Sequence, residues 1–536
     1  MGRPEKAKMR KMTGQPHGLF PVGNQGGRLR SIQSALTAGY ISSQFADFYC
    51  HDCQAQTLFR RCHLCDGTNV EERSKAPIEA GERVPLKRSI PIKDVFSSTL
   101  NKLKTKIYPD LIKGVRGTTN KRHIPEHLAK AILRAKHNIA VNKDGTTRYD
   151  CSEIAITHFK PEEIGTPLQT LKELGYTHDI HHQPLTSPTQ TLELLPQDII
   201  IPCCPHSPEE GADEILFRTS KFIDDELRYL YHLKPYYNLT SKKDLVGELI
   251  LGLAPHTSAA ILGRIIGFSK TQTFLAHPFF HAAMRRDADG DESCIFLLMD
   301  GFLNFSKLYL PESRGSSMDA PLVLTYLLNP SEVDDMVFNL DRAWRYPLEL
   351  YKAARAFKKP WDVKIELIAD TLNTPAQFEG IGFTHDTTNI NAGVLCSAYK
   401  TLPSMQEKLD GQMNLARKIR AVDEADVARL VIEKHFIRDI RGNLRKFSQQ
   451  EIRCVDCNEK FRRPPLKGAC TVCGGKLVFT ISEGSIIKYL EPALKLARDY
   501  DVPAYLKENM DIVRRMVEEN FGKDAEKQEG LGTFFS

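Results

Sequence analysis

Asp287, Asp289 and Asp291 fall at alternating positions in Arg285-Arg286-Asp287-Ala288-Asp289-Gly290-Asp291-Glu292. In an extended or tightly turned backbone alternate side chains point the same way, so these carboxylates are expected to converge on one small volume. Three converging carboxylates repel one another unless a cation sits among them. Hard oxygen ligands of this kind suit Mg²⁺, which usually keeps one or two carboxylates together with substrate phosphates. Two such ions about 3.5–4 Å apart clamp the attacking and leaving oxygens of a nucleotidyl transfer. Arg285 and Arg286 precede the acids and are candidate phosphate contacts. The apolar run Ile295-Phe296-Leu297-Leu298-Met299 predicts a buried strand behind them. A calcium hand needs glycine at its sixth position and glutamate at its twelfth. Counted from Asp287 those positions are Glu292 and Leu298, so that reading fails. A solvated acidic turn is the simpler alternative, and the apolar flanks argue against it because they bury the frame that presents the acids.

Cysteines supply a second chemistry. Cys50, Cys53, Cys62 and Cys65 form one C-x-x-C…C-x-x-C set; Cys454, Cys457, Cys470 and Cys473 form another. Each pair makes a tight knuckle that turns two thiolates toward one tetrahedral Zn²⁺. Gly67 and Gly474 follow knuckles, where a left-handed residue is expected. Disulfides are the alternative and fit poorly with the cytosolic chain expected here. Cys151, Cys203, Cys204, Cys294 and Cys396 show no ligand spacing. His256, His277 and His281 lie upstream of the acids and read as packing residues.

The elements that must position these groups follow from length and patterning. At 536 residues with 41% apolar content, the chain is long enough for several cores. The net charge of +6 agrees with a polyanionic partner. No apolar run reaches the roughly 18 residues that a bilayer span requires, so a soluble cytoplasmic protein with no membrane partner is expected. The start is basic: Arg3, Lys6, Lys8, Arg10, Lys11, Arg28 and Arg30 face a single acid, Glu5, up to residue 30. Gly23-Asn24-Gln25-Gly26-Gly27 is not a Walker loop, since no G-x-x-x-x-G-K-[ST] occurs. Lys113-Gly114-Val115-Arg116-Gly117 and Lys143-Asp144-Gly145 read as basic hairpin turns, with Lys113 a candidate phosphate contact. Helices are expected over Pro125–His137 and Phe222–His232, an apolar run over Leu249–Leu253, and close packing at Gly263 and Gly267. Residues 413–446 read as helical and basic, and Lys460, Arg462, Arg463 and Lys467 lie between the second pair of knuckles.

The division predicted is 1–48 a basic segment of a catalytic core, 49–70 a zinc ribbon, 71–205 a β-rich DNA-binding region and 206–312 the domain of the acidic motif. Then come 313–450 a mixed α/β region, 451–480 a second zinc ribbon, 481–522 a helical region and 523–536 a disordered tail. That tail holds Gln528, Leu531, Phe534 and Phe535 in the form Q-x-x-L-x-x-F-F. One short turn puts the apolar three on one face, forming a plug that matches the peptide bound by sliding clamps (PCNA).

Several long segments resemble the carboxy-terminal half of the large subunit of the archaeal D-family DNA polymerase. They are Gly2–Lys8, Ile112–Gly117, Thr157–Pro161, Leu253–Ser258, His277–Asp291, Phe461–Leu466 and the terminal clamp peptide. The resemblance implies a mixed α+β multidomain protein: a double-psi β-barrel catalytic core, two zinc ribbons and a C-terminal helical region. It implies a DNA-directed DNA polymerase in which Asp289 and Asp291 hold catalytic Mg²⁺, with Asp287 third. Asp287 stands where the family usually has asparagine, which adds a negative charge at the metal site. Arg3, Lys6 and Lys8 are then expected on triphosphate or template phosphate. The implied partners are primer-template DNA, dNTPs, a small subunit with 3′–5′ exonuclease activity, the amino-terminal half of the large subunit and the clamp. The family's large subunit is far longer, and a split gene is the expected explanation. The rival reading is a non-catalytic zinc-ribbon scaffold that binds DNA and the clamp.

Overall fold

A computed structural model describes residues 10–73, 87–120, 122–287, 290–311, 317–382, 389–392, 394–396, 402–455, 459–479 and 483–521. The chain divides into two compact units, Lys6–Ser397 and a C-terminal unit whose described part is 402–521.

In the first unit, α1 (Ile32–Ala38) starts at Ser31, whose hydroxyl accepts the Ser34 N–H, and leads into β1 (Tyr40–Gln44). β2 (Phe48–Cys50) is the centre of a three-stranded sheet with β3 (Ala55–Thr57) and β4 (Val70–Glu72). β5 (Lys87–Pro91) pairs antiparallel with β1 and runs into α2 (Ile92–Lys102). The Lys113–Gly117 segment is not a hairpin turn. It threads between two neighbours, with the Gly114 N–H on Arg30 O and the Val115 N–H on Phe20 O. Buried Ile112 and Val115 tie it there. α3 (Leu128–Lys136) starts later than the expected Pro125, because the His127 ring caps it and Glu126 is drawn off to bind the Leu19 N–H and Arg134. Lys143-Asp144-Gly145 is a turn, as expected, closed by the Asn142 N–H on Thr146 O.

The remaining strands build one large sheet. β6 (Tyr149–Ala155) comes first. The short pair β7 (His158–Phe159) and β8 (Leu192–Glu193) flanks α4 (Pro161–Ile164) and α5 (Leu168–Glu173). β9 (Asp198–Pro202) is buried along its whole length, which suits its run of three isoleucines. α6 (Ala212–Tyr229) starts ten residues before the expected Phe222, since Ala212, Ile215 and Leu216 extend its buried stripe. β10 (Leu249–Leu253), β11 (Thr257–Ser269), β12 (Thr273–Ala276), α7 (Pro278–Ala283), β13 (Glu292–Leu297), α8 (Leu298–Asn304), β14 (Asp319–Thr325) and α9 (Leu348–Arg355) follow. The predicted strand over Ile295–Met299 is displaced toward the acids. The chain turns into α8 at Leu298, and the carboxylate of buried Asp300 accepts the Thr147 N–H.

β10 pairs with both β11 and β13. The pairings therefore run β10–β13–β6–β12–β9–β11 and back to β10, a closed ring of six strands, with β14 added parallel to β11. β6 and β9 come from the span 71–205 and the others from 206–325, so those stretches share one sheet and one core.

The C-terminal unit packs α10 (Met405–Lys418), α11 (Glu424–Leu430) and a π-helical stretch, Val431–Phe436, that continues into α12 (Ile437–Gln449). After these come β15 (Ile452–Cys454), β16 (Lys460–Phe461), β17 (Leu477–Phe479), α13 (Glu483–Asp499) and α14 (Ala504–Phe521). Its core is one helical cluster that includes Leu409, Phe436, Ile440, Leu490, Leu506 and Val513. Among the described residues no helix is long and apolar enough to cross a membrane.

Candidate active site

The acidic loop joins α7 to β13, two elements fixed on the closed ring. α7 begins with His277, whose ring accepts the Phe279 N–H, and with Pro278 at the first helical position. Its Phe280 seats in a hollow of the barrel. A Cβ on Gly252 would lie 2.8 Å from that ring and one on Gly263 3.0 Å from it, so both positions must stay bare. The close packing expected at Gly263 and Gly267 is thus present, with Ile164 against Gly267. The chain leaves α7 through Arg285 in the left-handed region and returns through Gly290 at φ +100°.

Asp287 and Asp291 flank this loop and are half-buried; Asp289 lies outside the described residues. Among the described residues no side chain pairs with the Asp287 or Asp291 carboxylate. Hard, uncompensated oxygen donors fit Mg²⁺. Arg285 donates to Glu332 O at 2.8 Å, and Arg286 Nη2 donates to Pro255 O. Both guanidinium groups thus hold backbone carbonyls that frame the loop, and the Arg286 Nε is buried without a partner among the described residues.

Beside the loop stands a group of charges. Arg10 places Nη2 2.6 Å from Glu292 Oε2, and its N–H lies 2.6 Å from Asp150 Oδ2. Arg10 follows Lys8 by two residues and Glu292 follows Asp291 by one, so the described end of the basic arm is pinned beside the acidic loop. Lys143 pairs with Asp319 at 2.9 Å, and the His256 N–H donates to the same carboxylate. Burial raises the Asp150 carboxyl, against the pull of the Arg10 N–H and of Arg148. Burial also works against the charged form of Asp319, but the His256 N–H and the Lys143 ammonium outweigh it and hold that carboxyl below its ordinary range. A cavity of about 170 Å³ opens among Arg10, Lys143, Asp150, Glu292 and Asp319. Lys113 is half-buried, and its N–H donates to the His17 ring. Arg3, Lys6 and Lys8 lie outside the described residues, as does the tail with Gln528, Leu531, Phe534 and Phe535.

The histidines divide. His277 and His281 are buried, as packing residues should be, whereas His256 is exposed at a turn with φ +63°. Burial first, then the neighbouring His281 and His158, lowers His277 to about 3, so it is neutral near pH 7.

The first cysteine set converges. Sγ atoms of Cys50, Cys53, Cys62 and Cys65 lie within 4.8 Å of one another, with Cys50–Cys65 and Cys53–Cys62 at 3.6 Å. A tetrahedral ion with about 2.3 Å bonds to sulfur sets its ligands roughly 3.8 Å apart, so the group fits Zn²⁺. The left-handed residues here are Gln54 and Asp66, each directly after the second cysteine of its knuckle, and not the expected Gly67. Gly67 is needed for a different reason: a Cβ there would meet the Asp52 carboxylate at 2.0 Å. In the second set Cys454, Cys470 and Cys473 converge, with Cys454–Cys473 at 3.4 Å, and Gly474 is left-handed as expected. Cys457 lies outside the described residues. Lys460, Arg462, Arg463 and Lys467 are exposed on this ribbon. Cys151, Cys204 and Cys294 are buried; Cys203 and Cys396 are half-buried.

Residues 105–408 match the family described as DNA polymerase II large subunit DP2, catalytic domain, and residues 1–80 match its central domain. The chain belongs to the DNA polymerase II large subunit family. A protein of Methanococcus maripaludis named DNA polymerase II large subunit is 46% identical over 538 residues, covering all of this chain and 46% of that protein. One of Archaeoglobus fulgidus with the same name is 45% identical over 556 residues, covering all of this chain and 48% of the relative. A third, from Nanoarchaeum equitans, is 44% identical over 574 residues, with 97% and 46% covered. The chain thus spans about half the length of the curated relatives it matches. Within the DNA polymerase II large subunit family, the catalytic-domain match takes in the whole closed ring and the acidic loop, and the central-domain match takes in the first cysteine ribbon.

Proposed function

We propose that this chain carries the polymerase active site of a replicative DNA polymerase and extends a primer 3′-hydroxyl with dNTPs on a DNA template. The observation that supports this most is the acidic loop. Its carboxylates lie inside the stretch matched to the family's catalytic domain, on a closed β-ring, with a basic arm anchored beside them. In this reading the ring is a double-psi β-barrel. Asp289 and Asp291 hold Mg²⁺, with Asp287 as a third carboxylate. When bound, Mg²⁺ supplies activation of the attacking hydroxyl and neutralises charge on the leaving pyrophosphate. The chain's own residues do the positioning. Arg3, Lys6 and Lys8 contact the triphosphate or template phosphates, Arg suiting bidentate contact and Lys acting as a point charge. Arg10 pairs with Glu292, the residue after Asp291, which ties the described start of the chain to the exit of the acidic loop.

The rest of the assembly follows from the same reading. Two Zn²⁺ ions hold the ribbons, and exposed Lys460, Arg462, Arg463 and Lys467 meet DNA backbone or a partner. A small subunit with 3′–5′ exonuclease activity and the remaining part of the large subunit complete the enzyme. Gln528, Leu531, Phe534 and Phe535 bind the sliding clamp.

The test is Mg²⁺-dependent extension by the assembled complex with Asp291→Asn. A drop of roughly 10³-fold or more is expected if this carboxylate is a metal ligand. Undiminished extension would move catalysis to another subunit and leave this chain a DNA- and clamp-binding scaffold.

A further inference from the structure

Both ends of the acidic loop hang on the two members of one buried pair. Glu153 of β6 and His281 of α7 have fully buried side chains, with Glu153 Oε2 2.5 Å from His281 Nδ1. The entry of the loop is tied to His281, whose carbonyl accepts the Arg286 N–H at 3.1 Å. The exit is tied to Glu153, whose N–H donates to Asp291 O at 2.9 Å, one step beyond the Glu292–Ser152 register of β13 on β6. The pair therefore spans the loop from behind, as a strut between its two anchor points.

The other nitrogen of His281 settles what that strut is. Nε2 lies 3.1 Å from Ile154 O, and a carbonyl only accepts, so Nε2 carries a proton and donates. Nδ1 then faces the Glu153 carboxylate at 2.5 Å. Among the described residues neither Glu153 oxygen nor His281 Nδ1 makes a hydrogen bond of acceptable geometry, so the two groups are held as a close buried contact with no other polar partner. The ring is packed edge-on against Phe274 and Phe280. A buried polar pair of this kind is a poor stabiliser compared with apolar residues of equal volume, while its geometry is strongly specified. That combination suits a device that sets distance rather than one that adds stability.

We propose that Glu153 and His281 are positioning residues: their buried contact fixes the span from Arg286 to Asp291 and hence the separation of Asp287 and Asp291, taken as ligands of the catalytic divalent ions. This rests on the proposed function only in taking Asp287, Asp289 and Asp291 as metal ligands. Neither Glu153 nor His281 touches substrate. Their loss acts through carboxylate spacing, so it weakens metal binding more than it slows extension once metal is saturating.

The experiment uses the assembled enzyme with Glu153→Gln, His281→Gln, the double variant and Asp291→Asn. Three quantities are read: the Mg²⁺ concentration for half-maximal extension, Mn²⁺ affinity by electron paramagnetic resonance without substrate, and the thermal unfolding midpoint. Each single variant is expected to raise the Mg²⁺ requirement about 10-fold and to weaken Mn²⁺ binding in parallel. Extension at saturating Mg²⁺ should stay within a few-fold of wild type, and the double variant should be no worse than either single one, because both remove the same contact. Unchanged Mg²⁺ requirement and Mn²⁺ affinity in folded variants would overturn the proposal. Unfolding of both variants would overturn it too, since the pair would then hold the fold rather than the loop. Full activity and Mn²⁺ binding in Asp291→Asn would instead defeat the metal-ligand reading of the loop, whatever the Glu153 and His281 variants do.

Discussion

The first cysteine ribbon and the acidic loop are both small sets of candidate ligands, yet the chain supports them in opposite ways. The ribbon's ligands are all local, although Lys102 and Ser98 of α2 also reach it, at Asp66 and the His63 carbonyl. Its four sulfurs come from sixteen consecutive residues, and its own backbone closes it, with the Cys62 N–H on Gly67 O and the Asp66 N–H on Cys62 O. The acidic loop is also local, but what holds it comes from far away in the chain: Arg10, Glu153, His281, and Phe280 lodged over two bare glycines. A site whose supports are local is a folding unit. A site whose supports are distant reports on the whole barrel, and its chemistry can be tuned from many places.

The largest effect that would sharpen this contrast is on the loop itself. Asp289→Ala with Asp291→Ala should abolish extension, a fall of roughly 10³–10⁵-fold, while the unfolding midpoint moves little. Next is the ribbon. Cys50→Ser should release one zinc per chain, seen by metal analysis, and unfold the ribbon, because structural zinc affinity is folding free energy of about 10 kcal/mol or more in small zinc domains. The Mg²⁺ requirement of any enzyme that still assembles should be unchanged. If Cys50→Ser altered Mg²⁺ demand as strongly as a loop substitution, the two sites would not be independent and the contrast would break.

Third is Arg10→Ala. It leaves Glu292 without its guanidinium partner and loosens the basic arm, which keeps only its backbone N–H on Asp150, and a misplaced phosphate contact should lower extension roughly 10–100-fold. Extension within two-fold of wild type would remove the arm from the account. Smaller again is Gly252→Ala, whose methyl must displace the Phe280 ring. It should cost about 1–3 kcal/mol by thermal unfolding, and pairing it with Phe280→Leu should return part of that.

Acid acts on stability through two buried histidines and leaves the loop contacts in place. His127 and His277 are both lowered to about 3, in each case mainly by burial. Each stays neutral in the folded chain while the unfolded chain takes up a proton below about pH 6.5. Stability is therefore full above that pH and falls toward pH 3, by about 2 kcal/mol per histidine at pH 5. A flat unfolding midpoint between pH 7 and pH 5 would contradict this.

Much of this was legible in the sequence, and what was not has a physical reason. C-x-x-C spacing announces its ligands because neighbours in sequence supply them. The apolar run of β10 and the helices α13 and α14 were legible for the same reason of local periodicity. The ring closure was not, because β6 and β13 are about 140 residues apart in sequence and only pairing reveals it. Glu153 sits in an ordinary-looking Cys-Ser-Glu-Ile stretch, and nothing there signals a buried partner on α7. Lys113-Gly114-Val115-Arg116-Gly117 shows the converse error. Its glycines suggested a turn, and the structure uses Gly114 for close approach to the Phe20 carbonyl instead. Likewise Gly67 serves contact with Asp52 rather than left-handed backbone.

The central claim is that the polymerase site lies on this chain's acidic loop. The most direct measurement is Mg²⁺-titrated primer extension by the assembled complex, wild type beside Asp289→Ala/Asp291→Ala, with zinc content and unfolding midpoint read on the same preparations. The account predicts extension lost in the double variant alone, with zinc and midpoint unchanged. Equal extension by both preparations would contradict it.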